Sequence, residues 1–556
     1  MSRFWLVAWA CVLSITWLLP NHYMPWTSFH FDLWMALSLT LAAVAVLVRS
    51  SAAIRCGPTE VLVGALMLIP ALQGAFGIIL FSGNAWMCSA YLLGALLALL
   101  TASSWEAASP GQLVDGLFLA IGLAALATVG FQLYQWLWLD GFEVWIMPDR
   151  FSRPFGNFGQ PNQAATFLLW GLIALAWAML RGHVGAICAS GAAAFLLFGV
   201  TLTHSRTAWL GAALLVAASW VWRRHWPHRR AHLWASAMAL YFIVCLVCLP
   251  WLGELLLLTD GEVVVDPLRL ASESRPQIWR LFVQAALAQP WTGYGWNQVV
   301  IAQMAVAADQ PALGTMYAHA HNLLLDLIVW TGIPVGLFVS YCLLRWLWTC
   351  LRQVRGAEEV LLLMFVVVVA NHAMLELPLH YAYMLLPTCM VGAVLNLRLG
   401  APVWFSVSRR FAFSILAVSV ALLSVIVRDY AHVEPAYRIL RFEWARIKTP
   451  PAVPPDVVLL DQWHEFVRYV HFEPKAGMSE AELQWMRKLT MVFSGVEPYQ
   501  KMAIALALSG KREESQLWLT RLCKMSRPSQ CRVFKRIWAD MAQQEPLIAA
   551  VAWPEQ

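Results

Sequence analysis

His319-Ala-His-Asn-Leu-Leu-Leu-Asp326-Leu-Ile-Val-Trp-Thr-Gly-Ile-Pro334 sets two histidines and an amide at the mouth of an apolar run, with one acid a turn and a half inside. The run continues to Trp348, long enough as a helix to cross a hydrocarbon core of about 30 Å. A membrane span with a polar mouth is the unit from which the chain is built. A histidine at a membrane–water boundary can take a proton from a substrate hydroxyl near neutral pH. The plain alternative is a wet helix N-terminus, where polar side chains cap free backbone N–H groups. Where the other polar residues fall decides between them.

The 556 residues are 60% hydrophobic and 13% charged, with 31 Trp, which excludes a soluble globular chain. Spans are expected near 5–19, 33–48, 60–80, 86–101, 113–138, 163–180, 184–202, 207–222, 232–251, 322–348, 359–377, 381–397 and 410–427. The first could be a signal peptide, but no small-x-small site follows Leu19, so it is taken as an anchor. Arg3, Arg49 with Arg55, Arg181, Arg223 to Arg230, Arg345 to Arg355, and Arg398 with Arg409 and Arg410 fall on one side, which the positive-inside rule makes cytoplasmic. The net charge of +6 records these anchors and does not argue for nucleic acid. The expected fold class is therefore all-α: a polytopic membrane protein of about 13 transmembrane helices (1–428), with a large periplasmic loop at 252–321 and an α-helical soluble C-terminal domain at 429–556.

From Arg428 onward the chain carries eighteen Lys/Arg against fifteen Asp/Glu and no spanning run, and the tail is entered through Thr449-Pro-Pro-Ala-Val-Pro-Pro455. Tyr499 to Gly510 and the following Lys511 to Leu519 read as two helices joined at a glycine turn: one tetratricopeptide-like unit or, more simply, an α-hairpin. Nine of eleven cysteines precede the tail and behave as small hydrophobes. Cys245 and Cys248 lack a second ligand pair, which argues against zinc. Cys523 and Cys531 flank Ser526-Arg-Pro-Ser-Gln530 in the exported tail, where a disulfide is expected.

The outer loops concentrate unusual polarity. Asn21-His-Tyr-Met-Pro-Trp26 reads as structural, since aromatics belong at that depth. Arg150-Phe-Ser-Arg153-Pro-Phe-Gly-Asn-Phe-Gly-Gln160-Pro-Asn162-Gln163 offers glycines for close backbone approach and amides for sugar hydroxyls; an ordinary Gly/Pro/Asn turn is its alternative. Thr203-His-Ser-Arg206 joins two spans through almost no loop, so Arg206 lies at the bilayer surface and needs an anion, either a lipid headgroup or a substrate pyrophosphate. Arg275 and Arg280 open an amphipathic helix that ends at Gly293-Tyr-Gly-Trp-Asn297. Asn371-His-Ala-Met-Leu-Glu376-Leu-Pro-Leu-His380-Tyr381-Ala-Tyr383 breaks two spans at a proline and brings an acid, histidines and tyrosines to the boundary. No thiol pair, Walker loop or nucleotide motif occurs.

Taken in order, Asn21 to Trp26, Pro154 to Asn162, Ser205-Arg-Thr-Ala-Trp209, Arg275 with Trp279, Gly293-Tyr-Gly-Trp296, His319-Ala-His-Asn322 and Leu375 to Tyr381 resemble the O-antigen ligase/polymerase superfamily. They look most like its protein-glycosylating branch, the bacterial O-oligosaccharyltransferases. The resemblance implies a transferase at the periplasmic face of a bacterial inner membrane. Its donor would be an undecaprenyl-pyrophosphate-linked oligosaccharide, its acceptor a Ser or Thr of an exported protein such as a pilin. It further implies that His321 is essential, that Arg206 and Arg275, with Arg280 beside them, meet the pyrophosphate, and that Gln160 and Tyr381 matter. Arg153, Asn162, His319, Asn322, Glu376 and His380 are expected to bind or position substrate. Arginine in place of a divalent cation makes no metal or cofactor necessary, and a single attack would invert the anomeric centre. Asp326, about 7.5 Å along the helix, is too displaced to reach His321 but could orient a neighbour. The competing readings are a ligase to lipid A-core or a repeat-unit polymerase using the same groups, a transporter, and a zinc hydrolase using His319 and His321.

Overall fold

The computed structural model describes residues 2–49, 53–148, 153–258 and 275–554; Arg150, Arg269 and the Ser272-Glu-Ser274 approach to Arg275 lie outside them. Helices make up most of the described residues: α1 (Arg3–Ser14), α2 (Phe29–Arg49), α3 (Pro58–Ala75), α4 (Ser82–Ala108), α5 (Gln112–Trp136), α6 (Pro161–Leu180), α7 (Ala186–Leu202), α8 (Arg206–Val221), α9 (Ala231–Leu255), α10 (Arg275–Ala288), α11 (Val299–Val306), α12 (Leu323–Thr331), α13 (Ile333–Gln353), α14 (Ala357–Ala373), α15 (Ala382–Arg398) and α16 (Arg409–Trp444). The tail adds α17 (Asp461–Val470), α18 (Glu480–Val492), α19 (Val496–Leu508), α20 (Arg512–Met525), α21 (Pro528–Gln544) and α22 (Pro546–Ala549). One departure from an all-helical chain is a short antiparallel pair, β1 (Ile54–Cys56) with β2 (Phe405–Val407), in which two interhelical connections satisfy each other's backbone groups.

Eight of the described helices, α2, α3, α4, α5, α6, α9, α13 and α16, are long and apolar enough to cross a membrane. The chain is thus a multi-pass, helical membrane protein. Of the other expected spans, α1 with its following turn, α7, α8 and α15 are apolar but shorter.

The span expected at 322–348 is two helices, and the break has a local cause. Gly332 takes φ +84°. Its N–H closes α12 on the Ile328 carbonyl, while Ile333 N–H turns aside to the Pro290 carbonyl at 2.7 Å and Pro334 has no N–H to continue the ladder. A Cβ on Gly332 would collide with the carbonyl of Trp291, so the crossing of these two backbones tolerates only glycine.

The chain divides into two compact units. The first comprises 1–65, 91–272 and 343–420. Within it α5 lies against α1, α6 and α7, and α14 against α6, α8 and α15. Trp170 of α6 stacks on Phe365 of α14 at 4.0 Å and donates its indole N–H to the Phe365 carbonyl. Such a ring pair adds about 0.5–1.5 kcal/mol to the area it buries. At one end of this bundle Arg398 pairs with Glu106 (2.9 Å) and Glu358, and Arg181 with Asp115 (3.2 Å) and Glu358 (3.4 Å). Five helix ends are tied together there.

The second unit comprises 66–90, 273–342 and 421–556. Its core gathers Tyr499, Met502 and Leu506 of α19, Trp518, Leu522 and Met525 of α20, and Met304 and Ala307 from the long loop. The α19–α20 hairpin turns at Gly510, φ +74°. The proline-rich linker folds back: Asp429 accepts the N–H groups of Val458, Leu459 and Leu460, Arg428 holds Asp456, and Asp461 caps α4 through Ser82 Oγ and Gly83 N, both at 2.8 Å. Cys523 and Cys531 are joined by a disulfide, with Cα atoms 5.0 Å apart.

Candidate active site

Part of the His319–Asn322 turn is held by its own helix. Asn322 is the N-cap of α12: its Oδ1 accepts from Leu324 N (3.1 Å) and Leu325 N (3.2 Å). For Asn322 the capping alternative therefore accounts for the side-chain oxygen. Asp326, 1% exposed, accepts the N–H of Ala320 at 2.7 Å, so it orients the residue between the histidines. His319 Nδ1 accepts the N–H of His321 at 3.2 Å, so a neutral His319 carries its proton on Nε2. His321 sits at φ +53°, a left-handed backbone that costs about 1–3 kcal/mol and persists only where the surroundings over-determine it. The two imidazoles lie 4.0 Å apart, with the Tyr317 ring edge-on to His321 at 5.8 Å. They are also the donors a metal would take; the arginines and primary amides of the site are not good metal ligands.

In the same unit, the Gly293-Tyr-Gly-Trp turn is fastened to the end of α12. Tyr294 N–H reaches the Val329 carbonyl (2.8 Å) and Gly295 N–H the Trp330 carbonyl (3.1 Å). Gln73 bridges Trp330 O and Trp296 N, and Gln298 bridges Tyr294 O, Ile78 O and Leu80 N. Arg275 is the first residue of α10, and Arg280 stands exposed further along it.

The first unit assembles the Pro154–Asn162 loop with the start of α15. Gln135 of α5 holds the loop from both sides, accepting from Phe155 N and Gly156 N and donating to Gly156 O, while Gln132 donates to Pro154 O. Gln160 and Asn162 both donate to Glu376, at 3.5 and 3.4 Å. Gln163 donates to Gln160 Oε1 at 2.8 Å and accepts from the Tyr383 hydroxyl, and the Tyr383 and Tyr381 rings lie tilted against each other with centroids 5.3 Å apart. Gln160, Asn162, Glu376 and Tyr381, far apart in sequence, are thus joined in one polar network. His380 lies in the turn before α15, where burial lowers its imidazole to about 4 and keeps it neutral.

Arg153 and Arg206 part company. Arg153 Nε donates to the Thr203 carbonyl (3.0 Å) and its terminal nitrogen to the His204 carbonyl (3.4 Å), so it holds the turn before α8. His204 in that turn is left-handed (φ +48°), and burial, then Arg153, lower its pKa. Ser205 caps α8, and Arg206, its first residue, is exposed.

Two groups escape the sequence reading. Asp32, 5% exposed, accepts from Ser28 Oγ (2.6 Å), Tyr91 OH (2.7 Å), Trp26 Nε1 (3.3 Å) and the backbone N–H of Ala382 (2.7 Å), seating the start of α15. Its signal was a lone acid opening an apolar run. Tyr383 is the second: its ring is buried and its hydroxyl donates to Gln163 Oε1, a role that an aromatic residue in an apolar run does not signal. His22 is structural as expected: Nε2 donates to the Asn157 carbonyl at 2.6 Å.

Residues 191–340 match the family model described as O-antigen ligase, 154–177 that of protein glycosylation ligase, and 360–528 that of virulence factor membrane-bound polymerase, C-terminal. A general O-oligosaccharyltransferase of Acinetobacter baylyi is 28% identical over 534 residues, 93% of this chain and 92% of that protein. A ComP-specific O-oligosaccharyltransferase of the same organism is 28% identical over 237 residues, 42% of each chain. The matches begin at the amide loop, run through the arginine and histidine turns and continue into the tail, and by them the chain is similar to the protein-glycosylating branch of the O-antigen ligase superfamily.

Proposed function

We propose that the chain transfers a glycan en bloc from undecaprenyl pyrophosphate to Ser or Thr hydroxyls of exported proteins such as a pilin, at the periplasmic face of a bacterial inner membrane. The observation that carries this reading is the His319–Asn322 turn, in which cap, acid and first histidine fix the backbone around His321. Neutral His321 accepts the proton of the attacking hydroxyl, a contribution of about 10²–10⁴-fold. The leaving pyrophosphate gathers charge, which Arg206, Arg275 and Arg280 stabilise. Arg206 and Arg275 each begin a helix, where free N–H groups and the helix dipole also favour an anion. Glu376 with its amide donors is suited to sugar or acceptor hydroxyls. No metal enters the step, and the anomeric centre inverts. A ligase to lipid A-core or a repeat-unit polymerase would use the same groups with a sugar hydroxyl as acceptor; the names of both relatives favour a protein.

The test measures transfer and donor binding on the same purified variants, with intact-protein mass as readout. His321→Ala should abolish transfer and still bind the lipid-linked glycan. Arg206→Ala and Arg275→Ala should weaken donor binding by about 1.5–3 kcal/mol each, with lysine restoring only part. Loss of donor binding in His321→Ala equal to that of the arginine variants would make His321 structural. Loss of transfer on chelation, restored by zinc, would return the two histidines to a metal.

A further inference from the structure

The loop that carries His321 is built into the tail. Met304 and Ala307, each 3% exposed, belong to one core with Tyr499, Met502, Leu522 and Met525 of the α19–α20 hairpin. Between Gln310 and Asn322 the chain has neither helix nor strand, so its backbone groups need partners of another kind. Gln303 of α11, 1% exposed, supplies two: Nε2 donates to the Thr315 carbonyl at 2.9 Å, and Oε1 accepts the N–H of Tyr317 at 2.8 Å. Gly314 N–H donates to the Lys524 carbonyl at 3.3 Å. Lys524 follows Cys523, and a Cβ on Gly314 would sit 3.9 Å from Ser526 O and Pro528 Cδ, inside the short segment that the Cys523–Cys531 bridge closes. Tyr317, held by Gln303, presents its ring to His321.

We propose that the tail is a positioning part of the catalytic centre, which sets His321 through Gln303 and through the disulfide-closed turn at Lys524. The proposal rests on His321 being the base. It assigns the tail a task in the chemical step in place of a tethered accessory role. Its reason is geometric: a left-handed His321 near the end of a loop without regular structure keeps its place only if the loop is fixed. A misplacement of about 1 Å in a reacting group can cost about 10²-fold in rate.

The experiment uses the full chain in detergent, with undecaprenyl-pyrophosphate-linked oligosaccharide and a serine-containing pilin as probes. Gln303→Leu removes both bonds, Gln303→Glu keeps the acceptor for Tyr317, and Cys523→Ser with Cys531→Ser frees the turn. Ser515→Ala is the control: it removes a buried bond to the Ala503 carbonyl and loosens the hairpin without touching the loop. Gln303→Leu and the double cysteine variant should lower kcat about ten- to a hundredfold at unchanged donor KM, with Gln303→Glu between them and the wild type. Ser515→Ala should keep its kcat at a comparable loss of melting temperature. Wild-type kcat in Gln303→Leu, or an equal fall in Ser515→Ala, overturns the proposal. If Gln303→Leu does not accumulate, the double cysteine variant decides by the same criterion. An active wild type with a dead His321→Ala and an unaffected Gln303→Leu sinks this inference alone; a His321→Ala that transfers normally sinks the functional reading beneath it.

Discussion

Replacing Asp32 with asparagine should unseat the start of α15. One carboxylate oxygen takes Ser28, Tyr91 and Trp26, and the other takes the N–H of Ala382. An amide keeps one acceptor and puts an NH₂ where the other stood. The Ser28 and Tyr91 hydroxyls can rotate to receive that NH₂, but the Trp26 indole and the Ala382 backbone cannot. Whichever way the amide lies, one fixed N–H is left facing a donor in a buried place, at about 1–3 kcal/mol. Asp32→Leu strands both, about 2–6 kcal/mol, whereas Tyr91→Phe removes a single bond, about 0.5–1.5 kcal/mol. Ala382 lies between Tyr381 and Tyr383, so glycan transfer should fall along with stability. Thermal melting in detergent, followed by tryptophan fluorescence, gives the ranking, and a double-mutant cycle of Asp32→Asn with Tyr91→Phe should be non-additive because the two share a bond. An Asp32→Asn variant that melts and transfers like the wild type would show that the carboxylate does not seat α15.

Asn322→Ala should cost about 0.5–2 kcal/mol through the lost cap, with Asn322→Asp close to wild type in melting; equal melting of all three would remove the capping role. His22 should make the fold acid-sensitive. Burial lowers its imidazole from 6.5 to about 4, against the raising effect of its bond to Asn157. The unfolded chain therefore takes the proton first, and stability present above 6.5 is lost as pH falls towards 4. The wild type should lose more melting temperature than His22→Gln over that window, and parallel losses would count against it. A phosphatase reporter fused after Arg428 should be active and a cytoplasmic reporter silent, as thirteen crossings from an inside N-terminus require; the reverse pattern overturns the orientation.

What the sequence displays and what it hides differ by the kind of group involved. Apolar runs announce the membrane helices because their content is local. The histidine turn, the amide loop and Glu376 announce themselves because each is polarity at the mouth of a span, where it is expensive. Gly332-Ile-Pro334 was a stop signal in plain view, overridden by apolar residues on both sides that read as one span. Asp32 stayed hidden because the groups that explain it lie 59 and 350 residues away.

The glutamines were harder still, and for a physical reason. Gln135, Gln298 and Gln303 each bond backbone groups of an irregular loop on both the donor and the acceptor side, and Gln73 ties the N–H of Trp296 in such a loop to the Trp330 carbonyl of α12. Backbone groups are the same in every residue, so the loop they hold leaves no trace in side-chain pattern. A chain with few charges still has to satisfy the loops that carry its chemistry, and a neutral amide can do so in a poorly hydrated place without the cost of burying an ion. A buried glutamine facing a glycine-rich or unstructured connection is thus the trace that such a loop leaves in sequence. It separates two kinds of polar residue that look alike on paper: those that meet substrate and those that hold the residues that do.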